Sequence, residues 1–256
     1  MRENSDNPKY PSMLREISHY FNDLNDKTVL EVGCDAKGEM ITYIADNYKS
    51  TEVIGLNPVV QSGRILKNAR LVKGDIRDTT FPDNYFDYIF SLAAFEHIFN
   101  LDDAIKEMYR IIKPGGLLYT KFGPIWSCCW GHHLWMHHEG SVFNYSNTVL
   151  PPYCHLLLSP EELRDSLAEK FSNEITDKIV NYVYFCPDQN RLFYEDYESI
   201  INASLFQNLI FYGTVNYPLS AEQRPESYAT MLDLLQKKYP GYKKFYYQFI
   251  YFLLRK

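Results

Sequence analysis

From residue 28 to residue 122 the chain alternates short apolar runs with amphipathic stretches, and no other feature restricts its fold as much. Apolar runs of about six residues bounded by turn formers read as buried strands, and apolar positions three and four apart read as one helix face. On that basis strands are predicted over Thr28–Gly33, Glu52–Leu56, Ala69–Lys73, Phe86–Ser91 (after the turn Pro82-Asp83-Asn84) and Leu117–Phe122. Helices are predicted over Met13–Phe21, over Met40–Tyr48, and from Asp102, where Ala104, Ile105, Met108, Tyr109 and Ile112 share a face. Lys113-Pro114-Gly115-Gly116 ends the last of these. Strands alternating with helices predict a mostly parallel sheet covered on both faces. Ligands in such folds bind beyond the carboxyl ends of the strands, at the switch in strand order.

The 256 residues are enough for one such domain with a core that needs no disulfide. The five cysteines are odd in number and scattered, which suggests a reducing, cytoplasmic location. Lys and Arg number 26 against 32 Asp and Glu, a formal charge of −6 that disfavours a nonspecific duplex nucleic-acid binder. No apolar run approaches the ~20 residues of a membrane span. The opening MRENSDNPKYPS lacks the apolar stretch of a secretory signal and reads as loose through residue 11.

Residues 123–156 break the alternation and read as a long loop over the site, because loops of this length are usually functional. Ser159-Pro160-Glu161-Glu162 opens a helix, with Ser159 as cap and Glu162 three places on. Residues 188–240 read as a mostly helical insertion, either a lid or a dimer contact, and YYQFIYFLLRK as a final strand. The whole of 1–256 is therefore expected to be one domain, with a core at 28–122.

Val29-Leu30-Glu31-Val32-Gly33-Cys34-Asp35-Ala36-Lys37-Gly38 carries the main functional signal. A strand runs into a glycine turn before a helix, where backbone can approach a ligand and unpaired N–H groups are offered. The GxGxxG of a dinucleotide site is absent. The segment resembles the first motif of the class I S-adenosylmethionine-dependent methyltransferases, small-molecule (methyltransferase type 11-like) branch. That motif is an acidic residue followed by GxGxG. Here the second and third glycines are replaced by Asp35 and Lys37, and Gly38 lies one place late. Further matches follow in the family's order: Asn57 in VIGLNP, Asp75 and Ile76 in KGDI, SLAAFEHI at the fourth strand, and IIKPGGLL before the fifth. The resemblance implies a Rossmann-like α/β fold, with a seven-stranded, mostly parallel sheet flanked by helices and a helical insertion near the C-terminus. It implies S-adenosyl-L-methionine as cofactor. Glu31, Gly33 and Asp35 would form the cofactor turn, Asn57 would hold the ribose, and Asp75 and Ile76 would meet the adenine. Ser91, Leu92, Ala93 and Ala94 would line the sulfonium side, and Glu96 and His97 would face the substrate.

Five of the seven histidines fall between residues 132 and 155, among Trp126, Trp130 and Trp135. Three readings of this segment compete. His133, His132 or His97 is a general base that takes the acceptor's proton during methyl transfer. His and Cys side chains hold a divalent metal ion, although no compact zinc spacing is present. Or the segment is a packed lid with a tryptophan core. Tyr153 and His155 extend the substrate-binding set with Glu96 and the three tryptophans.

The expected activity is O-methylation of a small polar acceptor, a sugar or nucleotide-linked sugar hydroxyl. The alternatives are N- or carboxyl-methylation of a small metabolite, and a noncatalytic partner-binding protein that retains the fold. The NPPY-type motif of nucleic-acid methylating branches is absent from the fourth strand, so no nucleic-acid partner is expected, and a homodimer remains an option.

Overall fold

The computed structural model describes residues 9–145, 149–215 and 226–256. The elements in chain order are α1 (Lys9–Phe21), β1 (Thr28–Val32), α2 (Glu39–Asn47), β2 (Glu52–Asn57), β3 (Gly63–Leu66), β4 (Ala69–Lys73) and β5 (Phe86–Leu92). A short 3-10 turn (Phe95–His97) leads to α3 (Leu101–Ile111), β6 (Ile112–Phe122) and the hairpin β7 (Trp135–His138) and β8 (Ser141–Asn144). Then come α4 (Cys154–Leu157), α5 (Pro160–Ala168), α6 (Asn173–Phe185), α7 (Tyr194–Ala203), β9 (Gln207–Thr214), α8 (Glu226–Lys238) and β10 (Phe249–Arg255).

Eight strands form the main sheet in the order β3-β4-β2-β1-β5-β6-β10-β9. β1 is parallel to β2 and β5, β2 to β4, and β5 to β6. The outer strands β3, β10 and β9 run antiparallel to their neighbours. β1 is buried along its whole length, as a central strand covered on both faces must be. The chain leaves β1 for β2 on one side and returns as β5 on the other, which puts the switch point at the carboxyl end of β1.

The period of two along each strand sorts the core into two layers. Leu30, Ile54, Ile89 and Leu118 lie in register on one face and pack with α3 through Ala104, Ile105 and Met108. Val29, Val53, Phe90 and Tyr119 lie on the other with Ile17 and Phe21 of α1 and Ile41 and Ile44 of α2. A third, smaller cluster joins α5 and α6 to Leu134, Leu150 and Cys154 of the long loop. The capping box predicted for α5 is present in both directions, with Glu162 N–H donating to Ser159 Oγ at 3.1 Å and Ser159 N–H to Glu162 Oε2 at 2.7 Å.

The departures have local causes. Of the N-terminal stretch read as loose, residues 1–8 lie outside the described residues, and α1 begins at Lys9. β3 is mostly exposed and exists through its pairing with β4, so no hydrophobic pattern announces it. The Lys113–Gly116 stretch expected as a turn lies within β6, with Gly115 N–H bonded to the Lys256 carbonyl at 2.9 Å. In the 188–240 segment, residues 216–225 lie outside the described residues. The rest holds helices α7 and α8, but the run Gln207–Thr214 between them is a strand paired with β10 along its length. A continuous apolar run does not separate helix from buried strand, and here the neighbouring strand decides. The loop at 123–156 contains its own hairpin, β7–β8, and the short helix α4.

Candidate active site

A cleft of about 500 Å³ opens beyond the carboxyl ends of β1, β2, β4 and β5. Gly33, Asn57, Asp75, Ile76, Ala94 and His97 are among its walls. Gly33 adopts φ +83° and donates its N–H to the Leu56 carbonyl at 2.8 Å. A Cβ built on it would lie 2.3 Å from Ala94 Cβ, so only glycine lets β1 turn past the loop after β5.

Two of the polar wall residues already have partners. Asn57 Nδ2 donates to the Cys34 carbonyl at 2.8 Å, and its Oδ1 accepts from Val59 N–H at 3.0 Å. Its amide therefore ties the turn after β1 to the end of β2. Asp75 accepts from Arg77 Nε at 2.9 Å and from Arg77 N–H at 2.9 Å. The Arg77 guanidinium holds the Asp75 carboxyl below its usual range.

Among the described residues the cleft walls include Gly33, Asn57, Asp75, Ile76, Ala93 and Ala94 of the predicted cofactor set, but not Glu31, Asp35, Ser91 or Leu92. Glu31 is buried inside β1, opposite Gly55 and Phe90. Asp35 accepts from Lys37 N–H at 2.8 Å and Glu39 N–H at 3.0 Å, so it organises the entry to α2. Ser91 is fully buried and donates to the Val32 carbonyl at 2.8 Å, which pins β5 to β1. Leu92 packs into the layer beneath α1 and α2.

Beside the cleft, Glu96, His97 and His133 converge, with ligand-capable atoms within 4.8 Å of one another. Glu96 is 2% exposed. Its Oε1 accepts from Gly123 N–H at 3.2 Å, and its Oε2 is buried with no hydrogen-bond partner. Burial raises its carboxyl to about 7, against a lowering pull from His97. The Asp188 carbonyl bonds His97 Nδ1, and the Gln189 side-chain amide meets His133 Nδ1. Burial, and then the neighbouring His97, depress His133 to about 4, so its ring is neutral near pH 7. Tyr145 closes on His133 with ring centroids 5.6 Å apart.

The rest of the predicted substrate and catalytic set divides. His132 is buried, its Nδ1 accepts from Leu134 N–H at 3.1 Å, and it lines a small cavity together with His97 and His133. His155 is buried, and its Nε2–H donates to the Trp126 carbonyl at 2.7 Å. Tyr153 is buried and donates to the Phe245 carbonyl at 3.0 Å. Trp130 is buried in the main core. These three are packing residues. Trp126 is half-buried, with the Arg191 guanidinium 5.0 Å from its ring, and it shares a small cavity with His97 and His133. Trp135 is 52% exposed on β7, tilted against Tyr145. The cysteines at 34, 128 and 154 are buried and their thiols are pushed up by burial, which suits packing rather than nucleophilic attack.

Sequence reasoning missed Arg77, Asp188 and Gln189. Arg77, two places after Asp75, was a readable signal for an ion pair. Asp188 and Gln189 had none, since they reach His97 and His133 across 91 and 56 positions.

Residues 30–120 match the family described as a methyltransferase domain. A ubiquinone/menaquinone biosynthesis C-methyltransferase from Neisseria meningitidis serogroup A is 30% identical over 128 residues, 50% of this chain and 47% of that protein. A sterol 24-C-methyltransferase from Aspergillus fumigatus is 29% identical over 123 residues, 43% of this chain and 32% of that protein. The chain thus spans between a third and a half of the length of these curated relatives. In structure it is similar to an S-adenosylmethionine dependent methyltransferase from Mesorhizobium loti, with TM-score 0.53, 11% identity and 99% of each chain covered. Across this distance the likeness carries the fold.

Proposed function

We propose that this chain, a class I S-adenosylmethionine-dependent methyltransferase by its domain at residues 30–120, methylates a small-molecule acceptor held beside Glu96, His97 and His133. The residues of the cleft suit the cofactor. Gly33 leaves room for backbone approach, Asn57 and Asp75 offer polar atoms, and Ile76 offers an apolar wall. When bound, S-adenosylmethionine supplies an activated methyl group. The protein's part is to align the acceptor and to take its proton.

His97 carries this reading, because it is exposed on the cleft wall and also belongs to the cluster with buried Glu96. The Asp188 carbonyl can only accept, so His97 Nδ1 bears a proton, and in the neutral tautomer that fits this bond Nε2 keeps its lone pair. The acceptor's proton would leave at this cluster. An oxygen acceptor, a sugar or nucleotide-linked sugar hydroxyl, fits a site that must remove a proton. Carbon methylation is the second reading, favoured by the names of the two C-methyltransferases above. Supply of the cofactor with a ¹³C-labelled methyl to a small-molecule extract tests both. The product's methyl shift separates oxygen-bound from carbon-bound carbon. S-adenosylhomocysteine binding with no labelled product from any extract would favour the noncatalytic alternative.

A further inference from the structure

We propose that Glu96, His97 and His133 form a binding site for a first-row divalent transition-metal ion of the zinc or iron(II) kind. Glu96 and His97 come from the turn after β5, and His133 from the loop after β6, where it adopts φ +52°. The three approach within 4.8 Å of one another through their ligand-capable atoms. Two imidazoles and one carboxylate suit such an ion, whereas magnesium and calcium take mainly oxygen ligands.

Two further observations point to a cation. Glu96 Oε2 is buried without a hydrogen-bond partner, and a buried carboxylate oxygen is costly unless something positive meets it. One of the histidines is also braced as a metal ligand is. His97 donates Nδ1–H to the Asp188 carbonyl, which leaves the Nε2 lone pair for an ion. His133 Nδ1 meets the amide of Gln189, itself 8% exposed. In this orientation the amide N–H donates to Nδ1 and the neutral ring carries its proton on Nε2; with the amide turned over, its oxygen accepts from Nδ1–H and the Nε2 lone pair is free for an ion.

Three protein ligands leave coordination positions for water or for oxygens of the acceptor. A hydroxyl bound there would lose its proton to water more readily, the activation that O-methyl transfer needs. That purpose rests on the methyl-transfer reading, although the binding itself does not.

The test is calorimetric titration of chelator-treated full-length protein with Zn²⁺. One equivalent should bind, and Glu96→Gln and His133→Ala should each weaken it by at least about tenfold. His138→Ala, on the exposed hairpin, should leave it unchanged. Co²⁺ added to the unaltered protein should give bands of nitrogen and oxygen ligation, a readout that needs no variant. Absence of stoichiometric binding, binding undiminished in both variants, or a thiolate charge-transfer band would overturn the site. S-adenosylhomocysteine titrated into the same sample separates the two claims. Zinc bound without it sinks only the methyl-transfer reading, and the reverse sinks only the metal site.

Discussion

Gly33 and Ala94 are packed so closely that a methyl group on Gly33 would sit 2.3 Å from Ala94 Cβ. The turn after β1 and the turn after β5 therefore meet through a single missing side chain, at the floor of the cleft. Gly33→Ala should lower affinity for S-adenosylhomocysteine by at least about tenfold and destabilise the fold by about 2 kcal/mol, from the left-handed backbone and the overlap together. Gly115 has a similar φ of +80° with nothing within 4 Å of its added Cβ, so Gly115→Ala isolates the backbone cost, about 1 kcal/mol. Urea unfolding and cofactor calorimetry on both variants check this. Equal losses would show that the contact with Ala94 is yielding.

Asn57 stands where the family resemblance expects a ribose-gripping acid, yet its amide donates to the Cys34 carbonyl. Restoring the acid with Asn57→Asp should therefore fail to tighten cofactor binding. It removes that donor and sets a carboxylate against a carbonyl, at a cost of about 1–3 kcal/mol. The check is the denaturation midpoint beside the cofactor Kd. A variant that binds more tightly at unchanged stability would refute this account.

Asp75 lies on the cleft wall but is engaged by Arg77. The pair is about 40% exposed, so it adds less than about 1 kcal/mol to stability. Arg77→Gln should leave the fold as stable as before and free Asp75 for a ligand's amino group. Cofactor affinity should rise about twofold to fivefold at low salt, an effect weaker than a buried charged hydrogen bond. Affinity that falls would mean that Arg77 itself contacts the ligand.

His155 is buried and neutral, its pKa depressed from 6.5 to about 4 chiefly by burial. The unfolded chain takes up this proton near pH 6.5 and the folded chain only near pH 4. Between those values the unfolded state binds more protons, so stability falls as pH drops through that window. The contribution is on the order of 3 kcal/mol between neutral pH and pH 4. His155→Phe loses the bond to the Trp126 carbonyl and should be less stable at pH 7.5. Its stability should decline less steeply from pH 6.5 to pH 4.5, so that the two curves converge. Parallel curves would contradict the assignment.

The parts of the molecule legible in sequence are those with short-range causes. Five of the six strands of the 28–122 core, α1 to α3 and the Ser159–Glu162 cap follow from patterns within ten or so residues. Residues Gln207–Thr214 were not legible as a strand, because an apolar run takes its form from the strand it meets, here β10. The histidine-rich stretch illustrates the same limit. Its composition announced a concentration of imidazole, but burial sorted it. His155 went into the loop's interior, His132 to the wall of a small cavity shared with His97 and His133, and His133 also to the cluster.

By itself, then, the sequence determined an alternating α/β sheet with a glycine turn at the end of β1 and a cofactor cleft beyond its strand ends. Periodicity and turn chemistry are local, and they survive in any arrangement of the remaining chain. Tertiary structure alone decided which polar groups face one another. Glu96, His97, His133 and Asp188 meet because the loops after β5 and β6 and the segment after α6 close over the same strand ends. Glu96 and His97 are neighbours, but the 36 residues from His97 to His133 and the 55 from His133 to Asp188 leave no local pattern, and the backbone carbonyl that meets His97 is common to every residue type.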